Sequence, residues 1–327
     1  MIVTDLINDI YYQSDYILLY SDTDSEVFKF TFSEDENEIT FNSIKRPIKK
    51  VAGQVVIGQY YDLETAYGYG GPITNCYESN FLNRAFQAYR IECQKQNIVC
   101  EFIRFHPFNN IIEYGELFDF FSKERQVVIV DLTLSTEDRW TRYSKTTRNI
   151  LRKAIKKMSR DNDSKMLGCF TSLYQQTMDK NNAEEFYYFK PEYFEKLIGI
   201  NGVDLLSVSL DSEIVSAGFF MHGSDLSHYH LSANNSQFFK ENGNYVLLDF
   251  AFEQAKSYGC KWMMLGGGRS SDEDDSLLRF KQKFSGELVP FYIGGLTFLP
   301  EVKDGLDRLW REQNPGINQK LFQLYRL

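Results

Sequence analysis

The chain has 327 residues, of which 43% are hydrophobic and 25% charged, and a formal net charge of −9. At roughly 150 residues per domain, this length predicts two domains, each with a core of its own. The acidic balance argues against a sequence-independent nucleic-acid binder and against DNA as a partner, while remaining compatible with a local basic groove.

In chain order, short strands are expected at residues 17–22 (ILLYSD), 27–32 (VFKFTF) and 54–60 (QVVIGQY), with the acidic stretch 33–38 as a hairpin loop. The glycine-rich turn YGYGGP follows at 67–72. A helix is expected from about Ser79 to Gln96, because Phe81, Leu82, Ala85, Phe86, Tyr89 and Cys93 recur with a helical period. Strands at 99–105 and 126–132 come next. Residues 142–160 read as a basic helix with eight cations and no acid. Ile150, Leu151, Ala154, Ile155 and Met158 form its apolar stripe. Further on, strands are expected at about 204–210, 213–222 and 226–232, with a turn at Leu210–Glu213. The polar loop Asn234–Asn244 leads into a helix at about 245–258. A strand from Cys260 ends on Gly266-Gly267-Gly268, and after an acidic loop a short helix carries Phe280, Lys281, Lys283 and Phe284. The junctions KQNIVCEFIRF and KSYGCKWMML look alike, so the order strand, loop, helix, strand occurs twice. This predicts an α/β (mixed-sheet α+β) protein of two related domains, 1–160 and 161–327.

The five cysteines, Cys76, Cys93, Cys100, Cys169 and Cys260, are odd in number and form no CxxC pair. Free thiols in a reducing, cytoplasmic setting are therefore expected. The start MIVTDLINDIYY lacks a basic n-region, and no run of 18 apolar residues occurs, so neither a signal peptide nor a membrane span is expected.

Five places have the residue types for chemistry. Gly68, Gly70, Gly71 and Pro72 let backbone approach a ligand closely, with Tyr67 and Tyr69 adding flat faces. His106, at a strand end after Arg104 and Phe105, titrates near neutrality and is suited to take a proton from an attacking amine. His228 and His230 alternate onto one face of a strand, but no third ligand of clear spacing accompanies them, so no metal is expected. The loop with Ser232, Asn234, Asn235 and Asn244 reaches a helix start whose amides suit a pyrophosphate. Gly267, Gly268, Arg269, Phe280 and Lys281 place cations near a strand end, where they would stabilise an oxyanion or a phosphate. Lys145 and Arg148 of the basic segment add a positive field.

Five segments in this order resemble the FemAB-type transferases. They are YGYGGP, FIRFHP at 102–107, YSKTTRNILRKA at 143–154, HYHLSA at 228–233, and LGGG followed by LLRFKQKFSG, which together span about residues 60–290. The resemblance implies two tandem GNAT-like domains with a cleft between or beside them, and transfer of an acyl or aminoacyl group to an amine. It places Lys281, beside Phe280, in the cleft of donor and acceptor. Peptidoglycan members carry Asp-Pro where this chain has His106-Pro107. The first expectation is accordingly an N-acyltransferase that moves an acyl group from acyl-CoA to a dTDP- or UDP-linked amino sugar for surface polysaccharide (O-antigen or capsule) synthesis. In it, His106 is the base, and backbone N–H groups or Lys281 meet the oxyanion. Tyr67, Tyr69, Gly70, Gly71, Arg104, Lys145, Arg148, His230, Arg269 and Phe280 would face substrate. Ser232, Asn234, Asn235, Asn244, Gly267 and Gly268 would hold the acyl-CoA, with no permanently bound cofactor. The alternatives are a Fem-type ligase that uses charged tRNA on a peptidoglycan precursor, which the net charge disfavours but leaves open, and a non-catalytic nucleotide-sugar-binding protein. A homodimer is compatible with the sequence.

Overall fold

A computed structural model describes residues 6–270, 272 and 274–327. Two compact units divide them. One comprises Tyr11–Glu124 with Phe291–Leu327, the other residues 6–10 with Arg125–Pro290.

In the first unit, strands Glu26–Glu34 and Asn37–Pro47 form an antiparallel hairpin, with Glu34 opposite Asn37. The loop residue Asp35 takes φ +53°, a left-handed turn position that Asp tolerates. Strand Tyr61–Glu64 pairs antiparallel with the hairpin and parallel with Ile98–Arg104. Residues 293–297 then pair antiparallel with 100–104. Helix Ser79–Lys95 is the crossover that a parallel pair requires. Its buried face is Phe81, Leu82, Ala85, Phe86, Tyr89 and Cys93, the stripe its period predicts.

Two early expectations fail here, and one strand goes unforeseen. Residues 17–22 close the helix Ser14–Leu18 and turn. Only Gln54–Val55 of the expected strand 54–60 pairs, and Val55 and Ile57 stand in solvent. The strand Asn37–Pro47 was not anticipated. Its inward row Ile39, Phe41, Ser43 is interrupted by a serine, which is buried because its hydroxyl donates to the Glu101 carboxylate. Tyr89 donates to the same carboxylate at 2.9 Å, and burial pushes Glu101 up to about 7.

The glycine turn is held against the end of strand Ile98–Arg104. Gly70 N donates to Arg104 O at 2.7 Å, and His106 N donates to Gly70 O at 2.9 Å. Gly68 has φ +98°, and a Cβ there would lie 2.2 Å from Tyr11 Cε1. Gly68→Ala combines left-handed strain with a clash, so it should cost about 2–4 kcal/mol. Gly53→Ala, at φ +82° with open space around it, should cost only about 1–2 kcal/mol. Urea-unfolding midpoints of the two variants, measured side by side, check the difference.

In the second unit, Trp262–Gly266 pairs antiparallel with residues 128–131 and parallel with Leu226–Asn234. Glu213–His222, Val203–Leu210 and Ser159–Asn162 continue the sheet antiparallel. The turn expected at Leu210–Glu213 is a tight hairpin, with Asp211 and Ser212 at φ +49° and +70°. Nearly every residue of Glu213–His222 is buried, because both faces are covered. Phe219 packs on Phe170 and Phe194, whereas Phe220 faces the cluster of Val246, Leu247, Ala251 and Phe252. Helix Gly243–Ser257 supplies that cluster.

The mixed α/β class is as expected, but the units do not follow a boundary at 160/161. Of the expected single helix 142–160 only Lys145–Ala154 is one helix, capped by Ser144; Arg142 ends the preceding helix Thr136–Arg142, and Arg160 lies in a strand. Leu151, Ala154 and Met158 bury their side chains with Val246 and Phe252 of the second unit. Residues 291–327 return to the first unit, where Trp310, Leu324 and Tyr325 cluster with Val99 and Cys100. Among the described residues, no helix is long and apolar enough to cross a membrane. Cys76, Cys93, Cys100 and Cys260 are buried free thiols, and Cys169 is an exposed one.

Candidate active site

The second unit brings a lysine, two glycine carbonyls, an arginine and a capping carboxylate together at one strand end. Registered pairing between Leu226–Asn234 and Trp262–Gly266 stops at His228 and Met264. His230 is the extra residue of a β-bulge, since Phe219 faces Leu231 while Phe220 faces Tyr229. The bulge re-aims the first strand just where its pairing with the second ends.

Lys281 lies where these strands part. Its Nζ donates to Gly267 O at 2.7 Å and stands 5.9 Å from the centre of the Tyr229 ring. Burial pulls the ammonium down to about 7, Asp275 opposes this, and Arg125 adds to it. Arg125 Nη1 donates to Gly268 O at 3.0 Å, so consecutive carbonyls each receive a cation. Both glycines are required by close approach: a Cβ on Gly267 would lie 2.7 Å from Gln126 O, and one on Gly268 2.5 Å from Asp275 Oδ1. Asp275 caps helix Ser276–Lys281 by accepting from the amides of Leu277 and Leu278 at 2.9 and 3.0 Å. Those bonds hold its carboxyl below the usual range against the opposing effect of burial. Phe280 packs edge-on against Tyr245, and Lys283 donates to the Tyr245 hydroxyl at 2.7 Å.

Other expected site residues of this unit have different work. Ser232 accepts from Tyr229 OH at 2.6 Å. Asn234 accepts from Ser216 Oγ at 2.8 Å, and Asn235 donates to Ile214 O at 3.2 Å and caps the following turn. These bonds tie the loop to the sheet. Asn244 sits half-buried in the first turn of helix Gly243–Ser257, behind Asn242 at φ +62°. His228 and His230 do not act as a pair. His228 Nε2 meets Asp9 at 2.6 Å, and His230 Nε2 meets Tyr193 OH at 3.0 Å. Burial, reinforced by His228, lowers His230 to about 3, so it is neutral at physiological pH and offers no charge to a phosphate. Arg148 Nη1 donates to the carbonyls of Trp140, Thr141 and Tyr143, closing the end of helix Thr136–Arg142. Lys145 is exposed, and exposed Arg269 reaches Asn181 Oδ1 at 3.1 Å.

In the first unit, Tyr69 and Gly70 meet His106, while Gly71 lies against Phe105 and Tyr67 against Tyr16 and Tyr20. Tyr69 packs edge-on against Tyr11, His106 and Phe291, and Tyr67 offers its carbonyl to Tyr16 OH at 2.7 Å. His106 is fully buried, and its Nδ1 accepts from Phe108 N at 3.2 Å. The neutral ring therefore carries its proton on Nε2, which gives it a donor there instead of a free lone pair. Arg104 is bound to Glu64 and stacks on Phe102.

The sequence reading missed Arg125, Tyr229 and Asp275. Asp275 had a readable signal, an N-cap aspartate just before a short apolar helix. Arg125 had none, because its partner carbonyl is 143 residues away.

Residues 203–301 match the model of the FemAB family. The structure of FemX superposes at a TM-score of 0.69 and 12% identity over 93% of this chain and 98% of that one. The C-terminal domain of a putative lysylphosphatidylglycerol synthetase from Agrobacterium fabrum gives 0.54 and 14%, covering 91% of both chains. L-PGS from Bacillus licheniformis gives 0.50 and 15%, covering 85% of this chain and 87% of the other. Comparison with curated proteins found no match. The FemAB match overturns the expected nucleotide-sugar N-acyltransferase, with its acyl-CoA donor and dTDP- or UDP-sugar acceptor, in favour of the Fem-type alternative. The strand end and Lys281 lie inside the matched segment, so residues 203–301 resemble the FemAB family and the chain shares the mixed α/β fold of FemX.

Proposed function

We propose that this protein is a Fem-type aminoacyl transferase, moving an aminoacyl group from a charged tRNA to an amine of a peptidoglycan precursor. The observation that carries the reading is that the FemAB match encloses Tyr229, Gly267, Gly268, Asp275 and Lys281 together. In the reaction the acceptor amine attacks the ester carbonyl. A C–N bond forms, the C–O bond to the ribose breaks, and a proton passes from the amine to the departing ribose oxygen. Lys281 is suited to this step in two ways. As an ammonium it stabilises the oxyanion of the tetrahedral intermediate. Lowered to about 7, it is also poised to give a proton to the leaving oxygen near neutral pH. Arg125 holds the Gly268 carbonyl, and the Gly267 carbonyl accepts from Lys281 Nζ. Charged tRNA is a cytoplasmic donor, which places the proposed reaction in the cytoplasm.

The test incubates the protein with radiolabelled aminoacyl-tRNA pools and muropeptide acceptors, either nucleotide- or lipid-linked. Label appearing in the acceptor as an amide supports the reading. Transfer from acyl-CoA to an amino-sugar nucleotide, with thiol release and no tRNA-dependent product, would sink it.

A further inference from the structure

The helices Thr136–Arg142 and Lys145–Ala154 carry a surface that the catalytic reading does not use. Lys145, Arg152, Lys153 and Lys156 are all exposed, and none has an ion-pair partner among the described residues. In a chain of net charge −9, this concentration is a local inversion of sign. Beside it lies an open groove of about 680 Å³ lined by Thr136, Glu137, Trp140, Thr141, Arg148 and Arg152. The Trp140 indole is fixed there by its Nε1, which donates to Asp249 at 2.7 Å.

We propose that this face docks the phosphate backbone of RNA. On the function proposed above, that RNA is the body of the charged tRNA, and the inference rests on that reading for the identity of its partner. The seven to eight steps of helix from Lys145 to Arg152 and Lys153, at about 1.5 Å each, already spread three of the cations over about 10–12 Å, and Lys156 lies just past the helix end, so the group is too extended for a single phosphate and suited to a polyanion. A flat aromatic wall next to cations is also how unpaired bases are held, by stacking instead of base-specific bonds. An anionic membrane fits less well. A membrane-docking helix leaves an apolar face to insert, whereas Leu151, Ala154 and Met158 are buried against Val246 and Phe252, and the outward face holds cations, Thr146 and Asn149.

The experiment measures binding of the full chain to fluorescent, unfractionated deacylated tRNA between about 50 and 200 mM salt. The variant carrying Lys145→Gln, Arg152→Gln, Lys153→Gln and Lys156→Gln should bind at least about 30-fold more weakly at 100 mM salt. It should lower the slope of log Kd against log salt by about 3, at roughly 0.7–0.9 for each of the four lost contacts. Lys156→Glu alone should weaken binding about tenfold, and serves should the quadruple variant fold poorly. Trp140→Leu should weaken binding with the slope unchanged. Lys95→Gln with Lys165→Gln, two cations elsewhere on the surface, should change nothing. Unaltered binding by the quadruple variant overturns the proposal. So does failure of the wild type to bind tRNA while it binds phosphatidylglycerol vesicles in the same salt range. A short aminoacylated acceptor-end oligonucleotide separates the two readings. If the quadruple variant still transfers from it while failing to bind whole tRNA, docking and chemistry are distinct. If the wild type transfers from no charged RNA, the function fails and the RNA-binding data stand alone.

Discussion

Lys281→Met is expected to lower aminoacyl transfer by about 10²–10³-fold while leaving stability at pH 7 within about 1 kcal/mol of the wild type. Both halves follow from a buried amine brought down to about 7 by desolvation. The activity loss removes the group placed to meet the oxyanion. The near-neutral stability arises because an amine buried beside Arg125 costs about as much as its bond to Gly267 O returns. The pH dependence gives the sharper test. Between about 7 and the ordinary lysine value of roughly 10.5, the unfolded chain holds a proton on this amine that the folded chain has released, so stability rises with pH across that window. It is fully present above the unfolded value and lost as pH falls towards about 7. From pH 7 to pH 9 the wild type should gain about 2 kcal/mol relative to Lys281→Met in denaturant melts. Flat relative stability over that range would mean that the amine is charged in the folded protein. In the same window, kcat/KM of the wild type should fall as the ammonium is lost. Lys281→Arg, which stays charged, should lack that alkaline limb whatever its overall rate.

The legible parts of this chain were those whose burial follows a simple period. Helix Ser79–Lys95 showed its six buried positions because one face of it meets one core. The hairpin at Asp211-Ser212 showed itself by a polar interruption between apolar runs. Asn37–Pro47 did not, because its buried Ser43 is matched to Glu101 58 residues away, and a serine in isolation reads as surface. The basic segment looked like one helix because charge pattern alone does not mark where a chain turns. Ser144 and the carbonyls capped by Arg148 mark that turn. Lys281 and the glycines before it are legible as a cation near a strand end, but the contacts around them are not. A β-bulge at His230 and the carbonyls of Gly267 and Gly268 are backbone facts, set by register and not by residue type. For the same reason strict alternation wrongly puts His228 and His230 on one face: it holds only while the ladder is regular, and the bulge breaks it between them.

The largest stability effect outside the site is expected at Asp62. Its side chain is fully buried in the first unit, with two guanidiniums and a phenol on its two oxygens. Arg46 Nε donates to Oδ1 at 3.1 Å, Arg326 donates to both oxygens at 2.7 Å, and Tyr325 OH donates to Oδ2 at 3.0 Å. Asp62→Ala would leave Arg326 with no carboxylate partner among the described residues, and Arg46 with only Glu64, which it shares with Arg104. Removing one partner of a buried ionic cluster in this way costs about 3–5 kcal/mol, far more than the intact cluster contributes over an apolar equivalent. A loss of that size lowers Tm by roughly 6–15 °C. Asp62→Asn should lie in the same range, because an amide presents donors to donors. The exposed pair of Lys49 with Asp24, at 2.6 Å, is the internal contrast, and Asp24→Ala should change stability by no more than about 1 kcal/mol. The damage should also have an address. Leu324 and Tyr325 are buried with Ile48, Val51, Val99 and Cys100, and Asp62 anchors Tyr325 and Arg326. Amide exchange in Asp62→Ala should therefore accelerate first at residues 322–327, before strands Ile98–Arg104 and Tyr61–Glu64 lose protection. Uniform acceleration through the unit would show that the carboxylate supports the sheet as a whole and not the docking of that segment.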